Sequence, residues 1–260
     1  MPIKFTHKPG LVVYITCGDP SLQVSRDAAL AATGAGADVL ELGVPFSDPV
    51  ADGPVIQRAS QRALAHGTNL AGVLDVARQI RRQSPAGIII FSYLNPILQF
   101  GLKKFCAAAK DAGAAGALVT DLPVEEAADY LQAMKAHKLA PVFLAAPTST
   151  NERLKAIAKH SRGFVYAISR TGITGTREEV ASDARALVER LRAITKLPIA
   201  VGFGVSTQEQ FAEVGEFANA AVIGSAIVQR MEQNKGREAE AVGEFLRSLR
   251  ASSRKAEIAG

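Results

Sequence analysis

Residues 11–20 read LVVYITCGDP. The first six are apolar, aromatic or β-branched, with no polar–apolar alternation. A short run of that kind suits a strand covered on both faces, as in a parallel sheet. Asp19-Pro20-Ser21 then seeds a helix, predicted over 25–33. An open doubly wound sheet would want a GxGxxG turn after its first strand. Here that turn is Cys17-Gly18-Asp19-Pro20, which is not that motif.

Outward from this stretch the same unit repeats. Apolar runs recur at 39–42, 87–91, 117–119, 141–144, 164–168, 199–201 and 221–223. Helical periodicity follows at 70–83, 98–112, 125–137, 152–160, 178–194, 208–214 and 238–250. Strand–helix alternation argues βαβ units. Eight units in 260 residues match the spacing of a closed TIM (β/α)8 barrel, for which roughly 250 residues is typical. No domain boundary is visible, so residues 1–260 are expected to form one barrel domain. Only a short arm, 1–10, precedes the first strand, and Pro2, Pro9 and Gly10 oppose a helix there. Ile3 and Phe5 of an extended arm are expected to plug the lower mouth.

Composition removes several classes of function. No run of about 18 apolar residues is present, so no membrane span is expected. The N-terminus has no apolar signal region. Cys17 and Cys106 form no CxxC pair, and a reducing cytoplasm is the default location. The net charge is +5, but the basic residues are interleaved with acids along helices. The densest cluster, Arg247, Arg250, Arg254 and Lys255, lacks aromatic interleaving and reads as a solvated last helix and tail. Nucleic-acid binding is not expected.

In a barrel the chemistry lies at the C-terminal ends of the strands. After the second run comes ELGVPFSDPVADGP, residues 41–54. If Leu42 packs against helices, Glu41 points into the barrel, where desolvation raises a carboxyl pKa towards the general acid/base range. From position alone Glu41 is either such a group or part of a buried structural network. Asp52 is either a group reaching over the mouth or a turn aspartate bonding its own backbone. Asp48 reads as a turn residue or a partner contact.

A second cluster suits an anion. The sixth run ends in YAISRTGITG (166–175), the seventh in GFGVS (202–206) and the eighth in GSA (224–226). Glycines let backbone N–H groups approach phosphate, and a short helix opening at Ser225 would aim its N-terminus there. Loops after strands seven and eight are the usual phosphate site of this fold. No lysine lies at a strand end, which opposes Schiff-base chemistry. No His group has metal-ligand spacing, and neither GxSxG nor a P-loop occurs. Proton transfer on a phosphorylated compound, carried out by carboxylates, is the chemistry left.

The runs YITCGDP, ELGVPFSDPVADGP, SRTGITG, GFGVS and GSAIV, with YLNP (93–96) and TDLP (120–123), resemble the tryptophan synthase alpha subunit over nearly the whole chain. The resemblance implies retro-aldol cleavage of indole-3-glycerol phosphate to indole and glyceraldehyde 3-phosphate. It implies Glu41 as catalytic acid/base, Asp52 as partner of the indole N–H and Tyr166 as the tyrosine beside Glu41. Tyr14, Phe91, Tyr93 and Phe203 would wall the indole. Gly175, Gly204, Gly224 and Ser225 would hold the phosphate, and Thr174 would sit on a closing loop. Asp48, Pro49, Asn95 and Pro123 would face a beta subunit in an α2β2 assembly. Pyridoxal phosphate would belong to that partner, with no cofactor on this chain. Family members usually begin with an extra helix under the barrel, which this chain replaces by its short arm. A free-standing indole-releasing lyase, another phosphate-binding barrel and a non-enzymatic partner subunit remain open at this point.

Overall fold

The computed structural model describes residues 3–168, 177–202 and 204–250. Among these, nine parallel strands alternate with helices. The strands are β1 (Gly10–Thr16), β2 (Val39–Gly43), β3 (Gly87–Ser92), β4 (Gly116–Val119), β5 (Ala140–Val142), β6 (Leu144–Ala145), β7 (Val165–Ile168), β8 (Ile199–Gly202) and β9 (Ala220–Ile223). Their order is β5-β4-β3-β2-β1-β9-β8-β7-β6. The two ends of this order are separated in the chain by Phe143 alone. β5 pairs with β4, β6 pairs with β7, and the Phe143 carbonyl accepts from Tyr166 N at 3.2 Å. The two segments are one bent strand, and the sheet is a closed eight-stranded barrel as the repeat predicts.

Side chains alternate between two cores. Val12, Val39, Ile89, Leu118, Val142, Phe164 and Ala200 fill the barrel interior. Leu11, Val13, Ile15, Leu40, Leu42, Ile88 and Ile90 face the helices. Each fully buried aliphatic side chain of this size stabilises the fold by roughly 1.5–3 kcal/mol. Because Leu42 faces the helices, Glu41 faces inward, two residues beyond Val39 on the same face.

The helices are α1 (Leu22–Gly34), α2 (Pro54–Ala65), α3 (Leu70–Arg81), α4 (Leu94–Phe100), α5 (Leu102–Asp111), α6 (Ala128–Ala136), α7 (Asn151–His160), α8 (Arg177–Arg192), α9 (Gln208–Phe217), α10 (Ser225–Gln233) and α11 (Glu238–Arg250). Ser21, Asn69, Thr150 and Thr207 cap α1, α3, α7 and α9 by accepting backbone N–H groups. Three helical assignments differ from the sequence reading. The helix expected over 125–137 is a 3-10 turn, Val124–Glu126, followed by α6. The single helix over 98–112 is two, broken at Gly101, whose φ of +91° ends α4 before α5 begins. α2 is an additional helix. Its buried residues are only Ala59, Ser60 and Ala63, a weak stripe, although Pro54 occupies the favoured first position.

The arm lies under the barrel without helical structure over residues 3–9. Ile3 and Phe5 pack against the interior core, and Phe5 meets Phe164 edge-on at 5.9 Å. Asp38 anchors the arm by accepting from Thr6 N and Leu11 N, each at 2.9 Å. Arg250 is not a solvated residue of the last helix: it donates to the Gly36 carbonyl at 2.8 Å and lies 3.5 Å from Asp38. The bland reading of the C-terminal charges fails at this residue, because Arg250 has a buried carboxylate to reach. Arg254 and Lys255 lie outside the described residues.

Candidate active site

The strand register brings the first two candidates together. Tyr14 of β1 and Glu41 of β2 are paired residues, and Glu41 is paired in turn with Ile89 of β3. Glu41 is 1% exposed, and neither carboxylate oxygen has a hydrogen-bond partner among the described residues. Desolvation pushes its pKa up to about 8. A carboxyl group held this way keeps its proton near neutral pH and can give it to a bound molecule.

Asp52 lies in the turn that leads into α2. Its backbone N–H bonds the Pro49 carbonyl, and its own carbonyl accepts from Gln57 Nε2 at 2.8 Å. The carboxylate bonds a side chain from another strand end: Tyr93 Oη donates to Asp52 Oδ2 at 3.1 Å. Tyr93 Oη also accepts the Ala51 N–H at 3.0 Å. Of the two sequence readings for Asp52, a turn aspartate closed on its own backbone is therefore not the one found. Its pKa rises to about 6, because desolvation outweighs the lowering effect of the Tyr93 bond. The two carboxyl groups are thus tuned apart, one protonated and one ionised at neutral pH.

Aromatic side chains enclose the space beside them. Tyr14 and Phe91 meet edge-on at 5.0 Å, and Phe46 lies 5.1 Å from Tyr93. Thr16 Oγ1 donates to Tyr14 Oη at 3.3 Å. The Tyr14 and Tyr166 phenols are pushed well above their ordinary pKa by burial, with Glu41 and Asp52 adding to the effect. Both stay neutral as hydrogen-bonding groups. Two glycines make room for them. A Cβ on Gly43 would stand 2.3 Å from Tyr14 Oη, and one on Gly202 would stand 2.6 Å from Tyr166 Oη. Gly43 and Gln57 carry site geometry that the sequence reading did not single out, and Gly202, read there only as part of an anion motif, makes room for a phenol. The placement of Gln57 in the first turn after Pro54 was the available signal.

The glycines that the sequence suggests for an anion adjoin this space. Gly202 ends β8, Gly204 follows it, and Gly224 joins β9 to α10 beside Tyr14. Ser225 is the exposed first residue of α10, where backbone N–H groups have no partner within the helix. On the rim, Asp48, Asn95 and Pro123 are exposed and Pro49 is half-buried. Val50 in the acidic loop and Leu98 on α4, at 85% and 55% exposure, add apolar surface to the same rim. Thr174, Gly175 and Phe203 lie outside the described residues.

The profile of the family described as tryptophan synthase alpha chain matches residues 2–257. A tryptophan synthase alpha chain of Solibacter usitatus is 50% identical over 89% of this chain and 87% of its own length. That of Alkalilimnicola ehrlichii is 46% identical over 93% and 91%. Among solved structures, tryptophan synthase subunit alpha from Legionella pneumophila superposes with a TM-score of 0.87 at 37% identity, covering 95% of this chain and 93% of that one. A chain of Mycobacterium tuberculosis tryptophan synthase in its aminoacrylate- and BRD0059-bound form gives 0.84 at 34%, covering 93% and 92%. Sequence agreement that runs from one end of the barrel to the other, on a superimposable fold, places this protein in the tryptophan synthase alpha chain family, the lyases of tryptophan biosynthesis that cleave indole-3-glycerol phosphate to indole and glyceraldehyde 3-phosphate.

Proposed function

We propose that Glu41 and Asp52 divide the proton chemistry of this cleavage between them. Protonated Glu41 gives its proton to the ring carbon that bears the glycerol chain. The ring nitrogen becomes cationic, and ionised Asp52 accepts its N–H. The resulting Glu41 carboxylate takes the proton of the adjacent hydroxyl. The carbon–carbon bond then breaks, its electron pair returns to the ring, and indole and the aldehyde are released with no net proton gained or lost. The observation that carries this reading is the unequal tuning of two neighbouring carboxyls, about 8 for Glu41 and about 6 for Asp52. A charge-assisted bond of the Asp52 type is worth about 1.5–3 kcal/mol, and raises the rate where it is stronger in the transition state.

In the same reading Tyr166 stands beside Glu41, and Tyr14, Phe91, Tyr93 and Phe203 wall the indole. Gly175, Gly204, Gly224 and Ser225 receive the phosphate, and Thr174 closes over the bound molecule. One catalytic barrel spans residues 1–260. Asp48, Pro49, Asn95 and Pro123 face a beta subunit in a cytoplasmic α2β2 assembly, and that subunit carries the pyridoxal phosphate and consumes the indole. The exposed Val50 and Leu98 on this rim support a partner surface, as does the likeness to a chain of the Mycobacterium tuberculosis tryptophan synthase. The direct test is indole release from indole-3-glycerol phosphate, first by the chain alone and then with a beta subunit added. Weak release that rises sharply with the partner is expected. No release in either condition from folded protein would sink the reading.

A further inference from the structure

The reaction as proposed needs two anchors at a fixed separation: Asp52 on the ring nitrogen and the α10 N-terminus on the phosphate. They belong to different elements. Asp52 precedes α2 directly and is tied to its first turn through Gln57. α2 and α10 pack together through Ala59 and Val228, which share one buried cluster with Tyr14.

Two arginines of α2 bond across this junction. Arg62, near the end of α2, gives Nε and Nη2 to the two oxygens of Asp19, both at 2.8 Å. Its Nη1 donates to Glu232 Oε1 of α10 at 2.8 Å. Arg58, one turn earlier, donates to Glu232 Oε2 at 3.2 Å. Asp19 is 5% exposed and follows β1, the strand that carries Tyr14. The planar guanidinium therefore joins the β1 loop, α2 and α10 in one network, a geometry lysine cannot reproduce.

Resting on the proposed reading of the site, we infer that Arg62 is a positioning residue: it sets the spacing between Asp52 and the phosphate-binding end of α10. It touches neither end of the substrate. A misplacement of about 1 Å in an oriented reaction can cost about 100-fold, so loss of the network acts on whole-substrate turnover and not on either binding end.

The experiment uses the full-length chain and its Arg62→Met, Arg62→Lys and Glu232→Gln variants, with Arg153→Met as an ion-pair control far from the junction. Folding is checked by circular dichroism and thermal melting. Glycerol 3-phosphate and indole probe the two ends separately, and indole-3-glycerol phosphate probes both together. Expected for Arg62→Met is a fall in kcat/KM of about 10- to 100-fold, with both half-ligand affinities within about twofold of the parent. Arg62→Lys and Glu232→Gln should fall between parent and Arg62→Met, and Arg153→Met should match the parent. Folded variants with parental kcat/KM overturn the role. So does a parallel loss of both half-ligand affinities, which marks general loosening. If Arg62→Met does not fold, Glu232→Gln decides on the same terms. A parent chain with no turnover at all overturns the reading of the site itself, a different result from an active parent whose variants match it.

Discussion

The Tyr93 hydroxyl bridges two consecutive residues of the acidic loop, accepting the Ala51 N–H at 3.0 Å and donating to the Asp52 carboxylate at 3.1 Å. It fixes where Asp52 points and lowers the pKa that burial raises. Tyr93→Phe is therefore expected to raise the Asp52 pKa and to leave the Ala51 N–H without its acceptor. The acid limb of kcat/KM should move to higher pH, with a stability loss of about 1 kcal/mol. An acid limb that stays in place would separate Tyr93 from Asp52 ionisation.

The rate should have a bell-shaped pH profile. Asp52 works ionised and Glu41 works protonated, so kcat/KM rises through about 6 and falls above about 8. Asp52→Asn should remove the acid limb and lower kcat more than it raises KM. An effect confined to KM would contradict transition-state stabilisation by Asp52.

Glu41→Gln should lower turnover by about 100-fold or more while phosphate binding persists. It should also change how stability depends on pH. The folded-state pKa of Glu41 is raised from 4.5 to about 8. Its contribution is fully present below the unfolded value and is lost as pH rises through about 8, where the parent must bury a carboxylate or unfold. The parent should thus lose stability over that window relative to Glu41→Gln, by a few kcal/mol at most. Parallel melting curves from pH 6 to about 9 would argue against burial of the group.

Gly43→Ala tests the packing of the indole wall. The new Cβ would stand 2.3 Å from Tyr14 Oη, so the phenol must turn away. Overpacking of this kind costs about 1–3 kcal/mol. Both the melting temperature and turnover should fall, and a variant with parental turnover would remove Tyr14 from the working wall.

At the opposite end of the barrel, Asp38→Ala should release the arm. The buried Leu11 N–H and the partly buried Thr6 N–H lose their acceptor, and Arg250 loses its counter-charge. A loss of about 2 kcal/mol or more is expected, with turnover retained at temperatures where the variant is folded. Unchanged melting would show that the arm contributes little to closing the barrel.

The sequence alone determined the fold and the residue types of the site. Eight apolar runs with intervening helical periodicity leave few solutions other than a closed parallel barrel, because strands buried on both faces must be covered inside and out. Position within a strand was enough to aim Glu41 inward once Leu42 was assigned to the helical side. Helix α2 escaped because its buried stripe is made of Ala59, Ser60 and Ala63, too little apolar area to announce a helix. The partners of the candidate residues escaped for a different reason. Tyr93 is 41 residues from Asp52, Arg62 is 43 from Asp19 and 170 from Glu232, and Arg250 reaches back across more than 200 residues to Gly36. Such pairings follow from closure of the barrel, which brings distant strand ends and helix flanks together. Local patterning holds no record of them. Burial decided the rest: whether a carboxyl is a proton donor or an anion at neutral pH depends on the solvent it loses, and only the tertiary structure sets that.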